Sequence, residues 1–250
     1  RGEKRPTIEC YWDVPLYESS DDISFSQACN KVAAGLKAAT SRRLIADVPL
    51  GAFLSGGIDS SGVVAMMSEI NPNPVLTCSI GFDEKKYDES QYAQMVAEVF
   101  QTKHHSHTVQ TSAYDLIDKL VGLYDEPYAD SSAIPTYRVC EMARKHVTVA
   151  LSGDAGDECF IGYRRYNLFA MEERIRRLFP ETLRRRVFTP LGRYYPKLDW
   201  APRFIRGKTT FQALARESAD AYLHGVSMCS DERKKSLFSK KQTSSLQGYN

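Results

Sequence analysis

No stretch of the 250-residue chain approaches the roughly 20 consecutive apolar residues that a bilayer-spanning helix needs, and the first residues hold no signal-like apolar core. No membrane partner is therefore expected. Cysteine offers no framework either: Cys10, Cys29, Cys78, Cys140, Cys159 and Cys229 show no CxxC spacing and no histidine partners. That excludes a structural zinc site of the usual spacing. A dominant charge of one sign is also missing. The 33 Lys and Arg against 31 Asp and Glu leave a formal net charge of +2, too little to drive the chain onto nucleic acid or acidic lipid. What remains is ordinary for a globular protein: 42% hydrophobic and 26% charged residues, on a length that can bury a full core.

One segment stands out against that background. Ser55-Gly56-Gly57-Ile58-Asp59-Ser60-Ser61 closes the apolar run 48–54. A strand, a small-residue turn and a helix start together make a backbone cradle for phosphate. Amides bared by the two glycines and by the first helical turn converge where the helix dipole favours an anion. Ser55, Ser60 and Ser61 add hydroxyl donors. The lysine of a Walker A loop is absent, and the loop instead carries Asp59. A carboxylate beside a phosphate is repulsive unless a cation lies between them, so Asp59 implies Mg²⁺ shared by protein and polyphosphate. The plain alternative is a tight strand-to-helix turn with an Asp near the helix N-terminus.

The rest of the chain alternates strand and helix patterns. Ala28, Val32, Leu36 and Ala39 make a helical stripe within 25–44. A helix after the loop carries Val63, Val64, Met66 and Met67, and Asn71-Pro72-Asn73-Pro74 stops it. Strands are predicted at 48–54, 75–82, 104–109 and 147–151, the last continuously apolar and read as buried. Helices are predicted from about residue 88 and over 113–123 and 134–145. The first of these begins with Asp88 or Ser90 near its N-cap and buries Tyr92, Met95, Val96, Val99 and Phe100. Beyond Gly162 only helical periodicity remains. The fold expected is α/β, a doubly wound, mostly parallel sheet followed by a helical layer. Residues 1–22, with Tyr11-Trp12 as an anchor to the core surface, read as a leading linker; 23–165 as the α/β core; 166–250 as a basic helical part.

A second acidic turn follows the fourth strand: Ser152-Gly153-Asp154-Ala155-Gly156-Asp157-Glu158. It repeats the first design. In an open parallel sheet, ligands sit outside the carboxyl ends of the strands where strand order reverses. If the first and fourth strands are neighbours there, both loops face one crevice, and Asp59 and Asp157 are expected to grip one Mg²⁺. The competing account makes Asp154, Asp157 and Glu158 helix caps, which explains one acid more easily than three.

These motifs carry a family resemblance. SGGIDSS at 55–61 resembles the signature of the ATP-pyrophosphatase (PP-loop) superfamily, and LSGDAGDECFIGYRRY at 151–166 resembles the matching segment of the asparagine synthetase family. DEPYADSSAIPTY at 125–137 and GFDEKKYDES at 81–90 are similar to that family in order and spacing. The resemblance implies an adenine nucleotide α-hydrolase-like fold and an amide-forming ligase. ATP activates the aspartate β-carboxylate as an acyl-adenylate with release of pyrophosphate, and ammonia then gives asparagine. It implies ATP and Mg²⁺ as cofactors. Ser55, Gly56, Gly57, Asp59 and Ser60 would hold the pyrophosphate, Leu54 and Ile80 the adenosine, and Ser152 and Gly153 would flank the nucleotide. Asp59 and Asp157 would be the metal ligands and Asp154 a catalytic candidate. Asp130, Ser131 and Ser132 fall where the family contacts its amino-acid substrate, though an ordinary helix cap explains them nearly as well. Some members have Glu where this chain has Asp154.

The resemblance also implies a glutaminase domain ahead of this sequence and a catalytic lysine beyond it. Neither Lys240 nor Lys241 is nominated as a substitute for that lysine. The expectation is a piece of a longer polypeptide with most of the ATP site and little or no complete turnover. Its partners would be small molecules, ammonia among them, its thiols reduced and its location cytoplasmic; a homodimer is left open. The basic run 174–208, with interleaved aromatics, invites a tRNA-modifying adenylating enzyme as an alternative. A solvated basic face with aromatics turned inward is preferred, so no nucleic acid is expected. A related amidotransferase acting on another carboxylate, and a non-catalytic nucleotide-binding module, are further alternatives. His104, His105 and His107 alternate along a strand, which sends neighbours to opposite faces and argues against a metal site.

Overall fold

The computed structural model describes residues 8–13, 23–86, 88–109, 116–124, 128, 130–198, 200–202, 206–227 and 236–237. Contacts divide the chain into two compact units, Arg1–Asp154 and Ala155–Asn250. In the first, helix α1 (Phe25–Arg43) opens on a capping box, with Ser24 Oγ accepting from Gln27 N at 3.3 Å and the Gln27 side chain accepting from Ser24 N at 2.8 Å. Then come β1 (Leu50–Phe53), α2 (Ile58–Ile70), β2 (Leu76–Phe82), α3 (Ser90–Val99), β3 (Lys103–Val109), α4 (Ile117–Leu123), α5 (Ala133–Ala143) and β4 (Val149–Leu151). The two-proline turn ends α2 as expected, because proline supplies no amide and forces its predecessor out of the helical region. Residues 110–115, 125–127 and 129, where part of one predicted helix and of the 125–137 motif fall, lie outside the described residues, as do Lys240 and Lys241.

The four strands are parallel and ordered β3-β2-β1-β4. The chain winds outward from β1 to β3, then returns to place β4 on the other side of β1. Strand order reverses between β1 and β4, the adjacency that the paired loops require. Alternate residues serve opposite faces. Ala52 and Leu54 pack with Val64 and Met67 of α2 and Ala93 and Ala97 of α3. Cys78 and Phe53 pack instead against Met142 and Ala143 of α5 and against Val147. Helices thus cover both faces, and the doubly wound parallel sheet is as predicted. Among the described residues no helix is long and apolar enough to cross a membrane, and the five described cysteines are free thiols.

Three sequence readings are corrected. The face of α3 that meets the core is Ala93 and Ala97 with Val96 and Phe100 at its margin, whereas Tyr92, Met95 and Val99 are exposed. Small residues let this helix approach the sheet closely. β4 is an edge strand among the described residues, and Val149 is exposed rather than buried. Tyr11 and Trp12, expected to anchor the leading segment, are 99% and 69% exposed.

The histidines of β3 divide between the faces as predicted. His104 shares hydrogen bonds with Thr77 Oγ1 at 2.9 Å and Ser79 Oγ at 3.1 Å. His105 stacks on His146, ring centroids 3.7 Å apart. Burial lowers the pKa of both His104 and His105 below the ordinary 6.5, and His146 and Lys103 push His105 down further. Folding therefore favours the neutral rings. Stability from these residues is full above the unfolded-state value and is lost as pH falls through the lowered native values. The urea midpoint should fall from pH 7.5 to 5.5. It should fall less in His105→Phe, which keeps a ring on His146 without a titrating nitrogen.

The second unit is helical: α6 (Gly156–Phe160), α7 (Arg164–Leu178), α8 (Glu181–Tyr194), α9 (Lys208–Leu214) and α10 (Ser218–Val226). Its basic run is not simply a solvated face. Arg176 and Arg184 are buried. Arg176 Nη2 donates to Ala213 O at 2.9 Å, and Arg184 Nη1 donates to Leu214 O at 2.8 Å and Arg216 O at 3.0 Å. Arg184 thus serves carbonyls at and just beyond the C-terminus of α9, whereas Ala213 O also accepts from Arg216 N at 3.1 Å and Arg176 is paired in addition with Glu172 and Glu173 of its own helix. Nor are all the aromatics inward: Phe211 packs with Phe188 and Tyr195, while Tyr194 and Trp200 are exposed.

Candidate functional site

The loop between β1 and α2 is fixed from three sides. Leu54 N donates to Cys78 O at 2.9 Å, so β2 holds the chain up to the residue before Ser55. Gly56 takes the left-handed φ of +80°, and a Cβ built there would lie 2.5 Å from Tyr92 Cβ and 2.6 Å from Ala93 N. Only glycine can rest on the first turn of α3 this way. Gly57 then caps α2 without any side-chain bond to the helix amides. The serines close the loop internally: Ser55 Oγ and Ser60 Oγ are 3.0 Å apart, Gly57 N donates to Ser55 Oγ at 3.3 Å, and Ser60 Oγ donates to Gly57 O at 3.2 Å. Asp59 lies in the first turn of α2.

The loop after β4 meets this one. A Cβ on Gly153 would stand 2.5 Å from Ser60 N and 2.8 Å from Asp59 C, so the two backbones are in direct contact. Ser152 Oγ donates to Asp154 Oδ2 at 2.9 Å and accepts from Asp154 N at 3.3 Å. Residues 54–60 and 152–154 are thus gathered at the carboxyl ends of neighbouring strands. Ile80 is half-buried on β2.

Asp157 and Glu158 belong to the helical unit, in the first turn of α6. The cap of that helix is Ala155, with φ 71° and no side-chain cap bond, and both acids lie in the first turn, where the helix dipole favours them. Ile161 closes α6 at φ 59°. A β-branched residue there costs roughly 1–3 kcal/mol, a strain typical of functional segments. Tyr163 Oη donates to Glu158 Oε1 at 2.9 Å, and that bond first, with the nearby acids, pushes the Tyr163 pKa up to about 12.

Asp130 closes a turn just ahead of α5, whose cap residue is Ser132 with no side-chain cap bond. Its Oδ1 accepts from Ser132 N at 2.8 Å, and Ser132 holds its carboxyl below the usual range. Ser131 and Ser132 are exposed.

Mg²⁺ at polyphosphate sites takes one or two carboxylates, with phosphates and water completing the sphere. Among the described residues no group of three or more His, Cys, Asp or Glu is gathered to hold a metal. Aspartate oxygens such as those of Asp59 and Asp157 suit that pattern by donor type. Sequence reasoning did not place Tyr92 under Gly56, Asp88 between Phe82 and Ser90, or Tyr163 on Glu158. Asp88 was visible only as a capping residue; nothing in the pattern ties Tyr163 to Glu158 except a spacing of five.

The fold and loops define an α/β domain with two Ser-Gly-acid turns meeting at its topological switch point. The family model described as asparagine synthase matches residues 31–247, and the chain belongs to that family. A putative asparagine synthetase (glutamine-hydrolyzing) 2 of Methanocaldococcus jannaschii is 48% identical over 156 residues, covering 61% of this chain and 30% of that protein. Asparagine synthetase (glutamine-hydrolyzing) 1 of Bacillus subtilis is 43% identical over 121 residues, covering 48% of this chain and 19% of that protein. The chain thus spans under a third of the length of these curated relatives. An NH3-dependent NAD synthetase from Campylobacter jejuni, solved with nitrate, aligns at 9% identity and TM-score 0.37, covering 80% of this chain and 97% of that one.

Proposed function

We propose that this chain is the ATP-binding part of an amide-forming ligase that activates the β-carboxylate of aspartate as an acyl-adenylate, releasing pyrophosphate, for attack by ammonia. The observation that carries the reading is the backbone contact of Gly153 on Ser60, which joins two Ser-Gly-acid turns at the ends of β1 and β4. In this reading the amides of Gly56 and Gly57 and the hydroxyls of Ser55 and Ser60 hold the pyrophosphate moiety. Leu54 and Ile80 line the adenosine. Ser152 and Gly153 flank the nucleotide, Asp59 and Asp157 are the Mg²⁺ ligands, and Asp154 orients the acyl group and incoming amine. Asp130, Ser131 and Ser132 are a weaker assignment to the amino-acid substrate. Bound Mg²⁺ would neutralise polyphosphate charge. The chain's own task is to hold two anions, carboxylate and α-phosphate, in reacting distance with preorganised donors and little reorganisation.

Asp59→Asn gives a test with opposite signs. With Mg²⁺ present, loss of a ligand should weaken ATP binding by tenfold or more in calorimetric titration. With Mg²⁺ chelated, loss of a repelling carboxylate should strengthen it. Absence of MgATP binding by the wild-type chain, or the same sign in both conditions, overturns the nucleotide reading. The carboxylate is tested by ATP–pyrophosphate exchange: stimulation by aspartate supports the assignment, and dependence on transfer RNA overturns it.

A further inference from the structure

Asp88 lies outside the residues assigned to the nucleotide, yet its carboxylate joins separate pieces of backbone. Oδ1 accepts from Phe82 N at 3.3 Å and from Ser90 N at 3.2 Å, and Oδ2 accepts from Ser90 Oγ at 3.0 Å. Phe82 is the last residue of β2 and Ser90 the first of α3. One side chain therefore pins the start of the helix to the end of the strand, across the connection 83–89. The strand makes room for it: a Cβ on Gly81 would stand 2.9 Å from Asp88 Oδ1. The bonds from Ser90 hold the Asp88 carboxyl below the usual range, so it is ionised at neutral pH and its hydrogen bonds are charge-assisted.

The first turn of α3 is also the surface under Gly56. The separations of a hypothetical Gly56 Cβ from Tyr92 Cβ, Ala93 N and Tyr92 C are 2.5, 2.6 and 2.6 Å, so loop and helix touch without slack. Any displacement of that turn must be passed to the Ser55–Gly57 amides. We propose that Asp88 is a positioning residue for the pyrophosphate loop: it fixes the first turn of α3 against β2, and through Tyr92 and Ala93 it sets where Gly56 and its neighbours present their amides. This rests on reading residues 55–60 as the pyrophosphate cradle.

Electrostatics makes the test sharp. A carboxylate that is only a bystander near an anion site repels the anion, and its removal tightens binding. Asp88→Ala should do the reverse, weakening inorganic pyrophosphate about tenfold by calorimetry, with Mg²⁺ and with Mg²⁺ chelated alike. That pattern separates Asp88 from Asp59, whose loss should weaken binding only with the metal. Asp88→Asn keeps an Oδ1 acceptor for Phe82 N and Ser90 N and should recover most of the affinity. If Asp88→Ala does not fold, the comparison passes to Asp88→Asn and Ser90→Ala, which loses only the Oδ2 bond; each should weaken pyrophosphate two- to threefold. Unchanged or tighter binding by the folded variants, with wild type binding normally, overturns the positioning role alone. Failure of wild type to bind pyrophosphate at all overturns the cradle reading and this inference with it.

Discussion

Gly153→Ala is expected to lower MgATP affinity by at least about a hundredfold while leaving the sheet folded. The new methyl would stand 2.5 Å from Ser60 N, 2.8 Å from Asp59 C and 2.9 Å from Ser60 Cα. All three are backbone atoms, so no side chain can rotate out of the way. Either β4's loop or the first turn of α2 must retreat. A misplacement near 1 Å is enough to cost about a hundredfold where several donors must converge on one group. Overpacking of this kind also costs roughly 1–3 kcal/mol of stability, so affinity is to be measured well below the melting transition. Gly122→Ala is the matched control, because a Cβ there meets nothing within 4 Å. A Gly153→Ala chain that binds MgATP within threefold of wild type would show that the contact of the two loops has no bearing on the nucleotide.

Much of the α/β unit was legible because period-2 and period-3.6 patterns are read directly from hydrophobic spacing. The adjacency of β1 and β4 was legible for a different reason: two Ser-Gly-acid turns make sense only if their strands are neighbours. What failed was the choice of buried residue within a helix. Hydrophobicity favours Tyr92, Met95 and Val99 of α3, but Gly56 rests on that turn, and close approach selects Ala93 and Ala97. Backbone strain was illegible for a related reason. Gly156 and Gly162 look like the natural left-handed positions, yet Ala155 and Ile161 take positive φ. Burial of Arg176 and Arg184 could not be read either. A guanidinium goes inside only where acceptors meet it: Arg176 has Glu172 and Glu173 on its own helix, but the carbonyls that both arginines reach belong to a segment some thirty residues further along.

That last feature gives a large expected effect in the helical unit. Arg184→Ala should cost about 3 kcal/mol and speed amide exchange in α9 before anything else. Arg184 is buried, and its Nη1 serves both Leu214 O and Arg216 O. A hydrogen bond from a charged donor is worth about 1.5–3 kcal/mol, and an acceptor left buried and unpaired costs a further 1–3; overlap between the two figures brings the sum back near 3. The position at a helix C-terminus adds to the effect, because the macrodipole favours a cation there. Arg184→Lys keeps one donor on a flexible stem and should restore part of the loss, whereas Arg184→Met restores volume without a donor and should not. Urea unfolding followed by circular dichroism gives the free energy. Hydrogen exchange over residues 208–216 gives the location. If Arg184→Met proves as stable as wild type, α9 is held by packing alone, and the capping role assigned to this arginine is wrong.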